Sequence, residues 1–124
     1  PEEQKHDTYI NHGLQLWLAV PEDKEKIPAS FSHTPASAIP EITNSNATIR
    51  VLVGSAFGTN SPVPTLSPTL YLDIQLPANS QWQLPKLAGE KTTYTKEGEI
   101  FIAGEAMKSH TKMDINQEKK ITTE

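Results

Sequence analysis

The sequence predicts an all-β domain. Its 124 residues include ten prolines and six glycines between short apolar runs, and this spacing favours many short strands and turns over long helices. Residues 70–76 alternate apolar and polar side chains, which is the period of a strand with one buried and one solvated face. Residues 48–53 are mostly β-branched, as is typical of strands. A chain of this length is expected to form one domain.

The first apolar run, residues 14–20, is predicted to be a buried strand. It follows Gly13 and ends before Pro21. Alternation divides its side chains between two faces, with Leu14, Leu16, Leu18 and Val20 on one and Gln15, Trp17 and Ala19 on the other. Neither face is strongly polar, so we expect both to be covered.

A connector is predicted next. Residues 21–28 read as a charged turn, and residues 28–46, rich in proline, serine, threonine and alanine, are expected to lack periodic structure. The Asn-Ser-Asn sequence at 44–46 is a turn signal. It introduces the strand at 48–53, which ends at Gly54.

The remaining elements are short. Residues 54–64 are predicted to loop towards the strand at 70–76, which Pro77 ends. Four further stretches follow: a strand at 81–84 with Trp82 and Leu84 inward, a polar strand at 91–96 centred on Tyr94, a strand at 99–102, and weak strands or frayed ends over 105–124, where Met107, Met113, Ile115 and Ile121 have strand-like spacings.

Composition excludes several functional classes. Fifteen acidic and eleven basic residues give a formal charge of -4, which argues against direct binding of nucleic acid. Without cysteine there is no disulfide framework, thiolate metal site or cysteine nucleophile, and a reducing cytoplasm is permitted. No apolar run approaches the roughly 18 residues of a membrane span. We therefore predict a soluble, cytoplasmic protein with neither a membrane nor a nucleic-acid partner.

Four motifs, taken in their order and spacing over residues 10–105, resemble the pirin family. They are His12-Gly13-Leu14-Gln15-Leu16-Trp17 followed by Pro21; Ser61-Pro62-Val63; Ser67-Pro68-Thr69-Leu70-Tyr71-Leu72-Asp73 closed by Leu76-Pro77; and Glu97-Gly98-Glu99-Ile100 with Ile102 and Gly104.

The resemblance implies a bicupin, in which two jelly-roll β-barrels are joined by a connector and the first barrel carries a metal. Residues 1–20 would then be the closing strand or strands of the first barrel, residues 21–47 the connector, and residues 48–124 a truncated second barrel. The expected fold is all-β and cupin-type, with the end of one barrel and most of another. We expect the chain to be a piece of a longer protein, lacking most of the N-terminal barrel.

The family's metal, usually iron, is held by a His-x-His pair and a later His-x-Glu pair, and the sequence contains neither. The resemblance implies that all four ligands precede Pro1, so we expect no metal site in this chain. Members are associated with quercetin 2,3-dioxygenase activity, which opens a flavonol with dioxygen. The parent protein is thus a candidate dioxygenase with a flavonol-like substrate, and this piece is expected to be inactive. Two alternatives stay open: a non-catalytic interaction protein that docks through its second barrel, and an unrelated β-sandwich binding domain.

Three residues of the first motif are candidate contacts to substrate or to a metal ligand, namely His12, Gln15 and Trp17. The competing interpretations are a backbone-bonded histidine at a strand end for His12 and ordinary packing for the other two.

Other polar and aromatic residues have simpler interpretations. The isolated histidines His6, His33 and His110 are predicted to face solvent, Asp73 has no visible acid partner, and Ser55, Ser61 and Ser67 lack the Gly-x-Ser-x-Gly elbow of hydrolases. Tyr71 and Trp82 are predicted to pack between the two barrels, with plain core as the alternative. Since an incomplete barrel has unpaired strand edges, we also expect self-association or instability of the isolated piece.

Overall fold

The protein is built almost entirely of strands. The structure, a computed structural model, describes residues 8, 10–115 and 120–123. Two single turns of 3-10 helix occur in this part of the chain, at Glu22–Lys24 and Ala36–Ala38. The strands are β1 (Glu41–Asn44), β2 (Ala47–Val53), β3 (Ser55–Ala56), β4 (Thr59–Asn60), β5 (Tyr71–Gln75), β6 (Gln81–Gln83), β7 (Lys91–Thr95), β8 (Glu99–Ile102), β9 (Glu105–Lys108), β10 (Thr111–Ile115) and β11 (Lys120–Thr123). The prediction of an all-β chain is confirmed.

The strands pair into antiparallel sheets. One sheet has the order β1-β2-β5, a second the order β6-β11-β8-β9, β7 pairs with β10, and β3 with β4 forms a small hairpin. The strand predicted at 48–53 is β2, in which Ile49 and Val51 are fully buried while the intervening Arg50 is not. This alternation is the period expected for a sheet with one face on the core.

The core lies between the three-stranded sheet and the other strands. Side chains from both sides meet in one buried cluster, made of Ala47, Ile49, Trp82, Leu84, Ile102, Met107, Ile115 and Ile121. The inward orientation predicted for Trp82 and Leu84 is therefore confirmed. Trp82, only 3% exposed, belongs to this barrel's own core, so its predicted packing between two barrels is wrong.

Gly54 fixes the turn after β2. Its φ of +82° lies in the left-handed region, and a Cβ built there would overlap the carbonyl oxygen of Thr69. Nearby, Ser61 Oγ donates to the Leu52 carbonyl at 2.7 Å, and the Val63 amide donates to Ser61 Oγ at 3.2 Å. These contacts hold the long loop before β5 against the end of β2.

Residues 14–20 are not the buried strand that the sequence predicts. All of them are exposed, Trp17 at 90%, and no backbone hydrogen bond joins residues 10–20 to another described residue. Apolar alternation makes a segment suitable for a sheet, but a strand forms only where a second strand offers its N–H and C=O groups.

One other expectation also fails. Residues 28–46 are not free of periodic structure, because β1 lies within them and pairs with β2, setting Ile42 opposite Ile49. Of the two readings predicted for residues 105–124, the strands are confirmed in the described part as β9, β10 and β11, where Met107, Ile115 and Ile121 are buried in the core. Within the described residues, no helix is long and apolar enough to cross a membrane.

Candidate functional site

The two sides of the sandwich differ in how they are closed. On one side, Trp82 of β6 donates its indole Nε1–H to Asn44 Oδ1 of β1 at 3.0 Å, which joins the sheets through a largely buried contact. On the other side lie β5 and β7. Among the described residues β5 pairs only with β2, and β7 only with β10. The sheets therefore meet at one edge and remain apart at the other.

A groove of about 1580 Å³ occupies the open side. One wall is β5 with the loop before it, the other is residues 90–99, and residues 14–20 run along the opening. Core side chains form part of its lining: Leu84, Ile115 and Ile121. We call this feature the β5–β7 groove and residues 14–20 the leucine segment.

Polar and apolar side chains both line the groove, and two charged ones meet across it. Lys96 Nζ lies 3.8 Å from Asp73 Oδ1, so a single ion pair connects the residue after β7 with the middle of β5. Tyr71 lies on the same wall as Asp73. Partial burial, and secondly the negative charge of Asp73, raise the pKa of the Tyr71 phenol above its ordinary value.

Thr95 is the least satisfied polar group of the groove. Its side chain is 4% exposed, and its Oγ1 has no hydrogen-bond partner among the described residues. A buried hydroxyl without a partner costs free energy unless water or another polar group reaches it.

The structure separates the three predicted site residues. Gln15 and Trp17 belong to the leucine segment and line the groove. His12 lies beyond the segment, where its Nε2 is 3.7 Å from Glu97 Oε1, with both side chains exposed. None of the three joins a cluster of titratable groups among the described residues.

The remaining histidines do not form a metal site here. His33 and His110 are both exposed, as predicted, and His110 Nδ1 also lies 2.8 Å from the Tyr94 hydroxyl. His6 lies outside the described residues. Nowhere in residues 8, 10–115 and 120–123 do three His, Cys, Asp or Glu side chains come close enough to hold an ion. The donor set described here therefore does not fit a three-histidine, one-carboxylate iron site.

Sequence reasoning missed two groove residues, Thr95 and Lys96, and with Lys96 the ion pair that Asp73 forms. Asp73 pairs with Lys96, which is 23 positions away in the sequence. No local sequence pattern predicts this contact, because β5 and β7 are neither consecutive in sequence nor paired with each other. Only the alternation of β7 could have indicated that Thr95 faces inward with Lys91 and Thr93.

Comparison with known proteins decides the family. No protein-family model matches the sequence. The chain is 33% identical over 93 residues to the pirin-like protein of Caulobacter vibrioides and 33% identical over 92 residues to pirin of Mus musculus, matches that cover 74% and 73% of it. It belongs to the pirin family. This pirin-family chain spans about a third of the length of those relatives, 32% of each.

Solved structures show the same fold. A quercetin 2,3-dioxygenase from Acinetobacter baumannii superimposes with a TM-score of 0.77 at 19% identity, over 86% of this pirin-family chain and 40% of that chain. A second structure of a quercetin 2,3-dioxygenase from that organism gives a TM-score of 0.75 at 20% identity. At such identities the likeness establishes the fold alone. The all-β, cupin-type jelly roll expected from the resemblance is confirmed.

Proposed function

We propose that this chain is the metal-free barrel of a pirin-type bicupin, and that a longer protein containing it is a quercetin 2,3-dioxygenase-like enzyme. The observation that carries the proposal is the joint match, by sequence to pirins and by fold to quercetin 2,3-dioxygenases. The proposed substrate is a flavonol, opened by dioxygen. The proposed location is the cytoplasm, with no nucleic-acid or membrane partner.

The iron in this proposal belongs to a separate barrel. When bound, iron supplies the Lewis acidity and the contact with dioxygen that flavonol oxygenation requires. The described residues offer no site for it, so no catalytic step is assigned to them. Their part is to bind and orient. Gln15 and Trp17, which line the groove, and His12, which lies beyond it, are the proposed contacts to substrate.

A second function is favoured by one specific observation, the exposed leucine segment. Leu14, Leu16 and Leu18 are 48%, 60% and 61% exposed and alternate with Gln15 and Trp17 along the chain. Contiguous apolar surface of this kind marks interaction sites. The alternative is therefore a non-catalytic pirin-like protein in which this barrel docks a partner.

Turnover in the longer protein tests the enzyme proposal. The protein is reconstituted with ferrous iron, mixed with quercetin in air-saturated buffer, and followed by loss of flavonol absorbance and by oxygen uptake. Iron-dependent consumption of both is expected, and a chelator-stripped sample is the control. If the iron-loaded protein consumes neither flavonol nor oxygen, the enzyme proposal is contradicted and the non-catalytic docking function is favoured.

A matched pair of variants tests the proposed contacts. Trp17→Ala removes an aromatic ring that lines the groove, whereas Phe31→Ala removes one that is equally exposed, 92% against 90%, and does not line it. Trp17→Ala is expected to raise KM about tenfold, the effect of about 1.4 kcal/mol of lost binding. Equal KM values for the two variants contradict a substrate role for this segment.

A further inference from the structure

A tyrosine and a histidine are joined by a hydrogen bond near the end of β7. The Tyr94 hydroxyl lies 2.8 Å from His110 Nδ1, and the two ring centroids are 6.2 Å apart. When the imidazole carries its proton on Nε2, Nδ1 is an acceptor and the phenol donates to it. The separation is within the range over which a side-chain base receives a proton.

The backbone around the pair fixes both side chains. Tyr94 lies within β7, and β7 pairs with β10, which begins directly after His110. The His110 amide donates to the Thr95 carbonyl at 2.6 Å, and Ser109 Oγ donates to the Lys96 carbonyl at 3.2 Å. The turn before β10 is thus bonded to the residues that follow Tyr94. Local contacts therefore set the position of the imidazole beside the phenol.

A phenol with a base in hydrogen-bond contact is easier to oxidise by one electron. Loss of an electron turns a phenol into a very strong acid, so the barrier is lower when the proton leaves in the same step to an acceptor already in place. Lys112 lies opposite Tyr94 in the strand register, but an ammonium group has no lone pair for the proton. The Asp114 carboxylate accepts from Thr92 Oγ1 at 2.7 Å and lies 3.7 Å from Lys112 Nζ. The acceptor beside the phenol is therefore His110.

We propose that Tyr94 is a site of one-electron oxidation and that His110 is the base that takes its proton. The oxidant is an oxygen-centred radical, such as an organic peroxyl radical. One electron passes from the phenol to the peroxyl radical, which becomes a hydroperoxide anion, while the phenolic proton moves to His110 Nδ1. The products are a neutral tyrosyl radical, an imidazolium and the anion, and transfer of the proton from the imidazolium to the anion completes the hydroperoxide. The inference does not rest on the proposed dioxygenase function.

Tyr71, the other tyrosine that the structure describes, has a different environment. Partial burial, and secondly the negative charge of Asp73, raise the pKa of its phenol, so its proton leaves less readily. We therefore expect Tyr94 to be oxidised before Tyr71.

Stopped-flow oxidation of the whole chain tests the proposal, with hexachloroiridate(IV) as the one-electron oxidant and its loss of colour as the signal. The contribution of Tyr94 is the part of the rate that is lost in Tyr94→Phe, measured with His110 present and again in His110→Gly. Glycine suits this position because the φ of His110 is +64°, so the turn is kept. In mildly alkaline buffer, where imidazole is neutral, we expect this contribution to fall roughly tenfold in His110→Gly. The fall is smaller than general-base catalysis typically gives, because water also accepts a proton from an exposed phenol.

Exposure of the phenol predicts the opposite result. The Tyr94 side chain is already 43% exposed, and removal of the imidazole uncovers it further, so a rate set by access alone would rise in His110→Gly. A Tyr94 contribution that rises or stays unchanged overturns the proposal.

His110→Asn is the second variant, because asparagine also tolerates the left-handed region and its amide accepts a hydrogen bond without being a base. A slow Tyr94 contribution in this variant supports the proposal, and a rate like that of the parent chain overturns it. Trapping the radical with a nitroso spin trap and mapping the labelled peptide locates the oxidation. Label on Tyr94 is expected, and label on Tyr71 ahead of Tyr94 also overturns the proposal.

Discussion

At the scale of single residues, Gly54 is the glycine whose surroundings leave least room for a side chain. Other glycines with positive φ, such as Gly98 at +74°, face open space, whereas a Cβ at Gly54 meets the Thr69 carbonyl. Gly98→Ala is expected to cost about 1 to 2 kcal/mol, the penalty of a left-handed conformation. Gly54→Ala should cost at least about twice that, because the loop must also move. Urea unfolding of both variants measures the difference, and equal costs would contradict the close approach.

Tyr71 gives the groove a measurable pH dependence. Its folded pKa is raised above 10.0, so the fold favours the neutral phenol. The associated stability is present below the unfolded pKa of 10.0 and is lost as pH rises through the folded value. Asp73→Asn removes one cause and should lower the pKa of Tyr71, leaving it above 10.0 because burial remains. NMR titration with labelled tyrosine measures it, Asp114→Asn is the control, and an unchanged pKa in Asp73→Asn contradicts the assignment.

At the scale of elements, the closed side of the sandwich depends on one contact between β1 and β6. Trp82 Nε1 donates to Asn44 Oδ1 at 3.0 Å, with the indole buried. A double-mutant cycle of Trp82→Phe and Asn44→Ala should give a coupling free energy of about 0.5 to 1.5 kcal/mol, the net value of one hydrogen bond. Chemical denaturation supplies the four stabilities. Additive losses would mean that the bond does not join the sheets.

Local pattern predicted the strands whose alternation is strong and missed those that depend on a distant partner. The predictions near β2, β5, β6, β7 and β8 are confirmed within a residue or two. β1 has one substantially apolar side chain, Ile42, and exists because β2 pairs with it. Residues 14–20 show the reverse case, since their pattern is clear but no described strand pairs with them.

At the scale of the whole molecule, the motifs predicted the family and the cupin-type fold but not the shape of the site. The family resemblance is carried by short motifs of turn and strand residues, which include Pro68 and Gly98. The groove instead lies between β5 and β7, which are not neighbours in sequence and are linked by the ion pair of Lys96 with Asp73. The packing that brings such strands together is a property of the complete core, which no single motif contains.

The central claim is that this barrel carries no metal site of its own and works with a metal held elsewhere. Anaerobic titration of the chain with ferrous iron, followed by calorimetry and by metal analysis after desalting, tests it most directly. We predict no saturable binding, because the described histidines lie apart and none belongs to a cluster of three metal-ligating side chains. Binding of one iron per chain that is lost on replacing His12, His33 or His110 by alanine would contradict the account.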